Sequence, residues 1–259
     1  METFNEEFQT KLSSAGLIYK HFGKDVIAHE LHWHHHDPKI DIVYLKLYKE
    51  FIEALDANDN GISAYPQGIV PKFVDKTTLA QRVARLNPHW NEPPESHDLE
   101  TRFGKAMEMA GQEFLDRLHF VAHGWLPARE LVQKAMETRS ILPTEAKGRV
   151  IRMDKACPWK DHLFELENEM GIAVDTHGIL YVVFPDDTSQ WRVQAVPDAP
   201  DSFKCRKALP EPWRGLRDAE LDAVTGVDAG AVFVHHSGFI GGHRTYNGAL
   251  AMAIKALSL

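Results

Sequence analysis

The sequence predicts an α/β protein in which helices fill residues 1–145 and a mixed α/β sheet domain follows. Three observations carry this. Apolar residues recur at helical spacing from Lys11 to Ser140, β-branched and aromatic runs begin only at Arg149, and Ile141-Leu142-Pro143-Thr144 separates the two characters.

The elements follow in order. Lys11 to Gly23 places Leu12, Ala15, Leu17, Ile18 and Phe22 near one face and reads as a short packed helix that stops at the glycine. From Ile40 to Leu55 apolar residues recur broadly enough for a largely buried helix, running into a turn at Asp56-Ala57-Asn58-Asp59-Asn60-Gly61. A hydroxyl cap opens the helix of Thr77–Leu86, with Arg82 and Arg85 on one face. A long helix spans about His97 to Trp125, and Pro127 fits the first position of another that ends near Ser140. Strands are then expected at Arg149–Met153, Ile179–Phe184, Arg192–Val196 and Ala231–His235, with helices at Trp159–Met170, Asp218–Val224 and Thr245–Leu257.

With 259 residues, 44% hydrophobic and 25% charged, the chain can bury a core, and disorder is excluded as the default. A net charge of -8 excludes wholesale coating of nucleic acid, so any RNA site must be a local basic groove. Cys157 and Cys205 form no CxxC pair, which implies no zinc knuckle, no disulfide partner and a reducing compartment. No run of 18 apolar residues exists, so no membrane span is expected. The opening METFNEEFQ is too acidic for a leader, so the chain as written carries no targeting signal and reads as cytoplasmic. Composition specifies no oligomeric state.

Several constellations could carry chemistry. His29, His32, His34, His35, His36 and Asp37 supply nitrogen ligands, but adjacent histidines splay apart on regular structure, and the tract reads as a solvated loop. Asp56 and Asp59 suit a hard divalent cation held at a helix end, while the spacing alone fits a pair of turn aspartates equally well. Arg214 and Arg217 flank a glycine beside Trp213, suited either to phosphate forks and stacking or to a core tryptophan with surface ion pairs. The run Phe233 to Arg244 reads as a strand, a glycine-rich turn and a helix start, so that backbone N–H groups, His243 and Arg244 could face an anion. Cys157 lies near a helix N-terminus, where a thiolate would be favoured, yet no partner is evident and it reads as structural.

Together KLSSAGLIYKHFG, ALDANDNGIS, LAQRVARLNPHWN, ACPWKDH, WRVQAVP, PDSFKCRKALPEPWRGLRD and VFVHHSGFIGGHRTYNGALAMA resemble the melanocyte-proliferating-gene exonuclease family, a branch of the DHH phosphoesterases, over nearly the whole chain. The resemblance implies a manganese-dependent 3′-to-5′ exonuclease acting on single-stranded RNA in mitochondrion and nucleus. It also implies an N-terminal α/β domain that holds two manganese ions through four motifs, and a C-terminal domain that meets substrate through a Gly-Gly-His turn. Only the fourth metal motif has a counterpart here, which puts the ligand and catalytic role on Asp59, with Asp56 as neighbour or second candidate. The Gly-Gly-His turn matches Gly241, Gly242 and His243, and Arg214, Arg217 and Arg244 become the phosphate contacts.

On that basis residues 1–63 are expected to be a helical remnant of a DHH-type metal-binding domain, 64–145 a helical linker region, and 146–259 the substrate-binding α/β domain. The Asp-His-His triplet expected before the KLSSAGLIY helix is absent from these residues. The chain therefore reads as an N-terminally shortened member with little or no hydrolysis of its own and an uncovered apolar face near its start. The alternative is a non-catalytic RNA-binding or protein-interaction module.

Overall fold

A computed structural model of the protein describes residues 2–66, 68–93 and 98–259. The chain divides into two compact units, Met1–Leu126 and Pro127–Leu259.

The first unit is helical. Helix α1 (Ser14–Leu31) starts where the Ser13 hydroxyl accepts from the Ala15 and Gly16 N–H groups, and it closes at His32 in the left-handed region with φ 54°. It therefore runs well beyond the stop expected at Gly23, which sits buried inside the helix. Packing overrides the glycine here, because Gly23 faces the rings of Tyr19 and Tyr44 at a close approach that has no room for a side chain. Helix α2 (Lys39–Leu47) continues through a π turn (Tyr48–Ile52) into α3 (Glu53–Asp59). The turn expected from Asp56 thus begins only at Asn60, and Asp56 belongs to the helix. Stacked aromatic rings join these elements: Phe4 lies on Tyr48 with centroids 3.7 Å apart, and Tyr19 on Tyr44 at 5.0 Å. Each of the last two hydroxyls donates across the helix pair, Tyr19 to the Tyr44 carbonyl and Tyr44 to the Lys20 carbonyl, both at 2.9 Å.

Helix α4 (Leu79–Ala84) opens on the Thr78 hydroxyl, and α5 (Leu99–His119) opens on Asp98, whose carboxylate accepts from the Thr101 N–H. The expected start of that helix at His97 lies outside the described residues. A second π turn (Phe120–Trp125) ends the unit and returns Leu118, Val121 and Trp125 to the aromatic core. On the outer side of α1, Ile18, Phe22 and Val26 are exposed at successive turns, with Ile42 and Leu45 exposed on α2. The uncovered apolar face expected from the sequence is present.

The second unit begins with α6 (Ala128–Glu137), where Pro127 takes the N-cap position, one residue before the first helical position expected for it. Its sheet has five strands: β1 (Val150–Arg152), β2 (Tyr181–Pro185), β3 (Trp191–Ala195), β4 (Ala231–Val234) and β5 (Ile240–His243), in the spatial order β1-β2-β3-β5-β4. Only β1 and β2 are parallel, and the crossover that a parallel pair requires is supplied by α7 (Lys160–Glu169) and the short α8 (Val174–His177). Four of the strands lie within one or two residues of the expected positions; β5 was expected as a turn.

One sheet face is covered by α10 (Tyr246–Ser258), whose Ala249, Ala253 and Ala256 let the helix settle onto Val183, Val193 and Ala195. Trp213 and Leu221 complete that core, Leu221 from α9 (Asp218–Thr225), so the indole plugs the core as one of its two expected roles allowed. The opposite face is covered at β1 and β2 by α6 and α7, through Val132, Met136, Leu163 and Leu166 on Ile151 and Val182. Among the described residues, no side chain of β3, β4 or β5 joins that second cluster.

Candidate nucleic-acid interface

The residues singled out by the sequence fall in both units. In the first, Asp56 and Asp59 behave differently. Asp56 is fully buried, and its Oδ1 accepts from the Ser13 N–H at 2.9 Å, the Ser13 hydroxyl at 2.6 Å and the Gly16 N–H at 3.1 Å. Its Oδ2 accepts from the Tyr48 hydroxyl at 3.0 Å. Burial, reinforced by this bond, holds the Tyr48 hydroxyl well above the usual phenol range. The carboxylate therefore acts as a second cap on α1, at the positive end of the helix. Asp59, one turn further on, is exposed, and among the described residues its carboxylate has no hydrogen-bond or ion-pair partner.

The polyhistidine tract forms the exposed connection between α1 and α2. His34 Nδ1 accepts from the His36 N–H at 3.3 Å, and His35 Nδ1 lies 3.3 Å from the Asp25 carboxylate. Among the described residues, no group of three or more His, Cys, Asp or Glu side chains is placed to hold a metal ion. A manganese pair needs several bridging and terminal ligands, and this donor set does not fit one.

In the second unit the Gly-Gly-His segment is a strand. Gly241 pairs with Val193 and Val234, Gly242 with Arg192 and Phe233, and His243 with Trp191 and Ala231. The expectation of a glycine-rich turn is corrected: the turn is His235–Phe239, and the glycines lie inside the sheet, where a small residue permits close approach of neighbours. His243 is fully buried. Its Nε2 lies 3.0 Å from the Asp228 carbonyl, and its Nδ1 is 3.0 Å from the Thr245 N–H. An N–H donor at one nitrogen fixes Nδ1 as the acceptor and leaves Nε2–H to donate to the carbonyl. The ring lies against Gly248 so closely that a Cβ there would overlap it.

The arginines are distributed around this strand. Arg214 donates from Nε to the Leu209 carbonyl at 2.9 Å, and Arg217 is exposed just ahead of α9. Arg244 is exposed after β5, with its guanidinium 4.0 Å from Asp218. Sequence reasoning missed two residues that share this surface, Arg192 and Phe233. Register places them beside Gly242, and the guanidinium carbons of Arg192 and Arg217 lie 5.3 and 5.8 Å from the Phe233 ring centroid. Arg192 is itself held by a short ion pair to Asp186. The two thiols are conventional, since burial pushes both Cys157 and Cys205 up, which opposes the thiolate form considered for Cys157.

A family model named MYG1_exonuc and described as an uncharacterised protein family (UPF0160) matches residues 1–257. The chain belongs to this family. It is 49% identical over 252 residues to the protein named MYG1 exonuclease in Mus musculus, covering 97% of the chain and 64% of that relative. The Homo sapiens protein of the same name is 49% identical, with 97% and 65% covered. A protein named MYG1 protein in Dictyostelium discoideum is 46% identical, with 99% and 76% covered. The chain thus spans about two thirds of the length of the mammalian family members it matches. No solved structure matches it. No described helix is long and apolar enough to cross a membrane.

Proposed function

We propose that this chain supplies the RNA-holding part of a manganese-dependent 3′-to-5′ exonuclease, a phosphodiester hydrolase of mitochondrial and nuclear RNA processing. Family membership with proteins named exonucleases supports the reaction class. Residues 146–259 act as the substrate-binding domain, with Arg214, Arg217 and Arg244 forming its RNA-facing surface, Gly241 and Gly242 admitting the side chains packed against β5, and His243 fixing that strand. Residues 1–63 act as part of a DHH-type metal-binding domain, joined to the substrate domain by residues 64–145.

Asp59 is the metal ligand, and Asp56 holds α1 in place behind it. The observation that carries this division is the exposure of the Asp59 carboxylate beside the complete internal engagement of Asp56. One free carboxylate cannot neutralise two phosphoryl oxygens and activate water through a pair of ions. These 259 residues therefore bind single-stranded RNA with little or no hydrolysis. The test is degradation of 3′-labelled single-stranded RNA with manganese, comparing the chain with Asp59→Ala. Retention of full-length RNA in both supports the reading. Robust turnover that disappears in Asp59→Ala overturns it.

A further inference from the structure

Four residues on adjacent strands line up across one face of the second unit's sheet. Arg192 on β3 is paired in register with Gly242 on β5, Gly242 with Phe233 on β4, and Phe233 with Arg217 through an isolated bridge at the sheet edge. Residues in direct register point to the same face, so Arg192, Phe233 and Arg217 form one rung, about 14 Å long at the ordinary strand spacing. Helices α6 and α7 pack on this side of β1 and β2, while Gln194 and Ile240 beside the rung are partly exposed.

Gly242 makes the rung possible. A Cβ there would overlap the Arg192 guanidinium and come within 3.1 Å of the Phe233 ring, so the missing side chain is the trough through which Arg192 reaches the ring. Arg192 is fixed at its far end by Asp186, which itself accepts from the Thr188 hydroxyl and the Gln190 N–H. Its charge is compensated, and its part is to buttress Phe233. Arg217, whose guanidinium carbon lies 5.8 Å from the ring centroid, is exposed and pairs with no carboxylate among the described residues.

We propose that this rung is a stacking position for one base of single-stranded RNA, with Phe233 as the stacking ring, Arg217 as the contact to the adjacent phosphate, and Arg192 as the positioning residue. The proposal rests on the RNA-holding function above and adds Arg192 and Phe233 to it. A partly exposed aromatic ring with an uncompensated arginine beside it suits an unpaired base, because every base offers a π face and Arg217 supplies phosphate neutralisation. A protein of net charge -8 needs its cations concentrated in such a place to hold a polyanion.

The experiment measures binding of a fluorescein-labelled oligouridylate by anisotropy, in low salt with EDTA so that no cleavage intervenes. Phe233→Leu should weaken binding about tenfold while Phe233→Tyr keeps it, since stacking needs a ring. Arg217→Gln lies on the surface and should weaken binding several-fold and lower the salt slope by about one. Cross-linking with 4-thiouridine RNA should label the peptide containing Phe233. Wild-type binding that is unchanged in Phe233→Leu and Arg217→Gln overturns the rung while leaving RNA binding intact. Absence of RNA binding by the wild-type chain overturns the RNA-holding function itself, and the rung with it.

Discussion

Replacing Asp56 by Asn probes whether the helix-end aspartates divide into a structural and a free member. The Asp56 carboxylate accepts four hydrogen bonds inside the first unit, three on Oδ1 and one on Oδ2. An Asn keeps an acceptor at Oδ1 and turns its amide toward Tyr48, whose hydroxyl can rotate to accept. What is lost is charge assistance, about 0.5–1 kcal/mol for each bond, so Asp56→Asn should cost about 2–4 kcal/mol. Asp59→Asn should change stability by under about 0.5 kcal/mol, as exposed substitutions do. Thermal unfolding by circular dichroism, with hydrogen exchange at the Gly16 amide as the local readout, measures both. Faster exchange at Gly16 in Asp56→Asn alone is expected. Equal stability of Asp56→Asn and wild type, or a loss of 2 kcal/mol or more in Asp59→Asn, would refute the division.

Three further outcomes follow from the second unit. Gly248→Ala forces a methyl into the His243 ring and should cost at least about 1–3 kcal/mol, seen as a lowered melting temperature. Glu167 accepts from both terminal nitrogens of Arg206 at 2.8 and 2.7 Å and from the Ile179 N–H at 2.7 Å, with side chains only 2% and 7% exposed. Glu167→Ala should therefore cost about 3–5 kcal/mol by leaving the guanidinium buried without its partner, while Glu167→Met combined with Arg206→Met recovers much of it in the same melt. Burial raises the Cys157 and Cys205 thiols, so both stay protonated to higher pH than free cysteine. Their reaction with a disulfide reagent at pH 8 should be slow in the folded chain and speed up in urea; because the folded value is raised, the associated stability is complete below the ordinary value of about 8.5 and is lost as pH climbs through the folded one.

Much of the fold could be read from the residues, since alternation in Trp191–Ala195 and helical spacing in Tyr246–Ser258 are local signals that packing preserves. Glycine misled at two places for one reason. Gly23 and the Gly241-Gly242 pair read as stops or turns from local preference, yet Gly23 and Gly242 let a ring or guanidinium come close and Gly241 admits Leu209 and Val234, a tertiary demand that no window of sequence displays. The site was legible in the same measure. The DANDNG segment pointed to two carboxylates, but only the position of Ser13 and Tyr48 separates the buried cap from the exposed one. Arg192 and Phe233 lie within expected strands, yet their juxtaposition is not legible there, because it depends on register with β5, the strand hidden in the glycine pair.

Counting tightly bound manganese per chain, by equilibrium dialysis with electron paramagnetic resonance of the free ion, addresses the central claim most directly. We expect less than one ion held tightly per chain, and a weak residual binding that falls further in Asp59→Ala. Two ions bound per chain, both lost in Asp59→Ala, would contradict it.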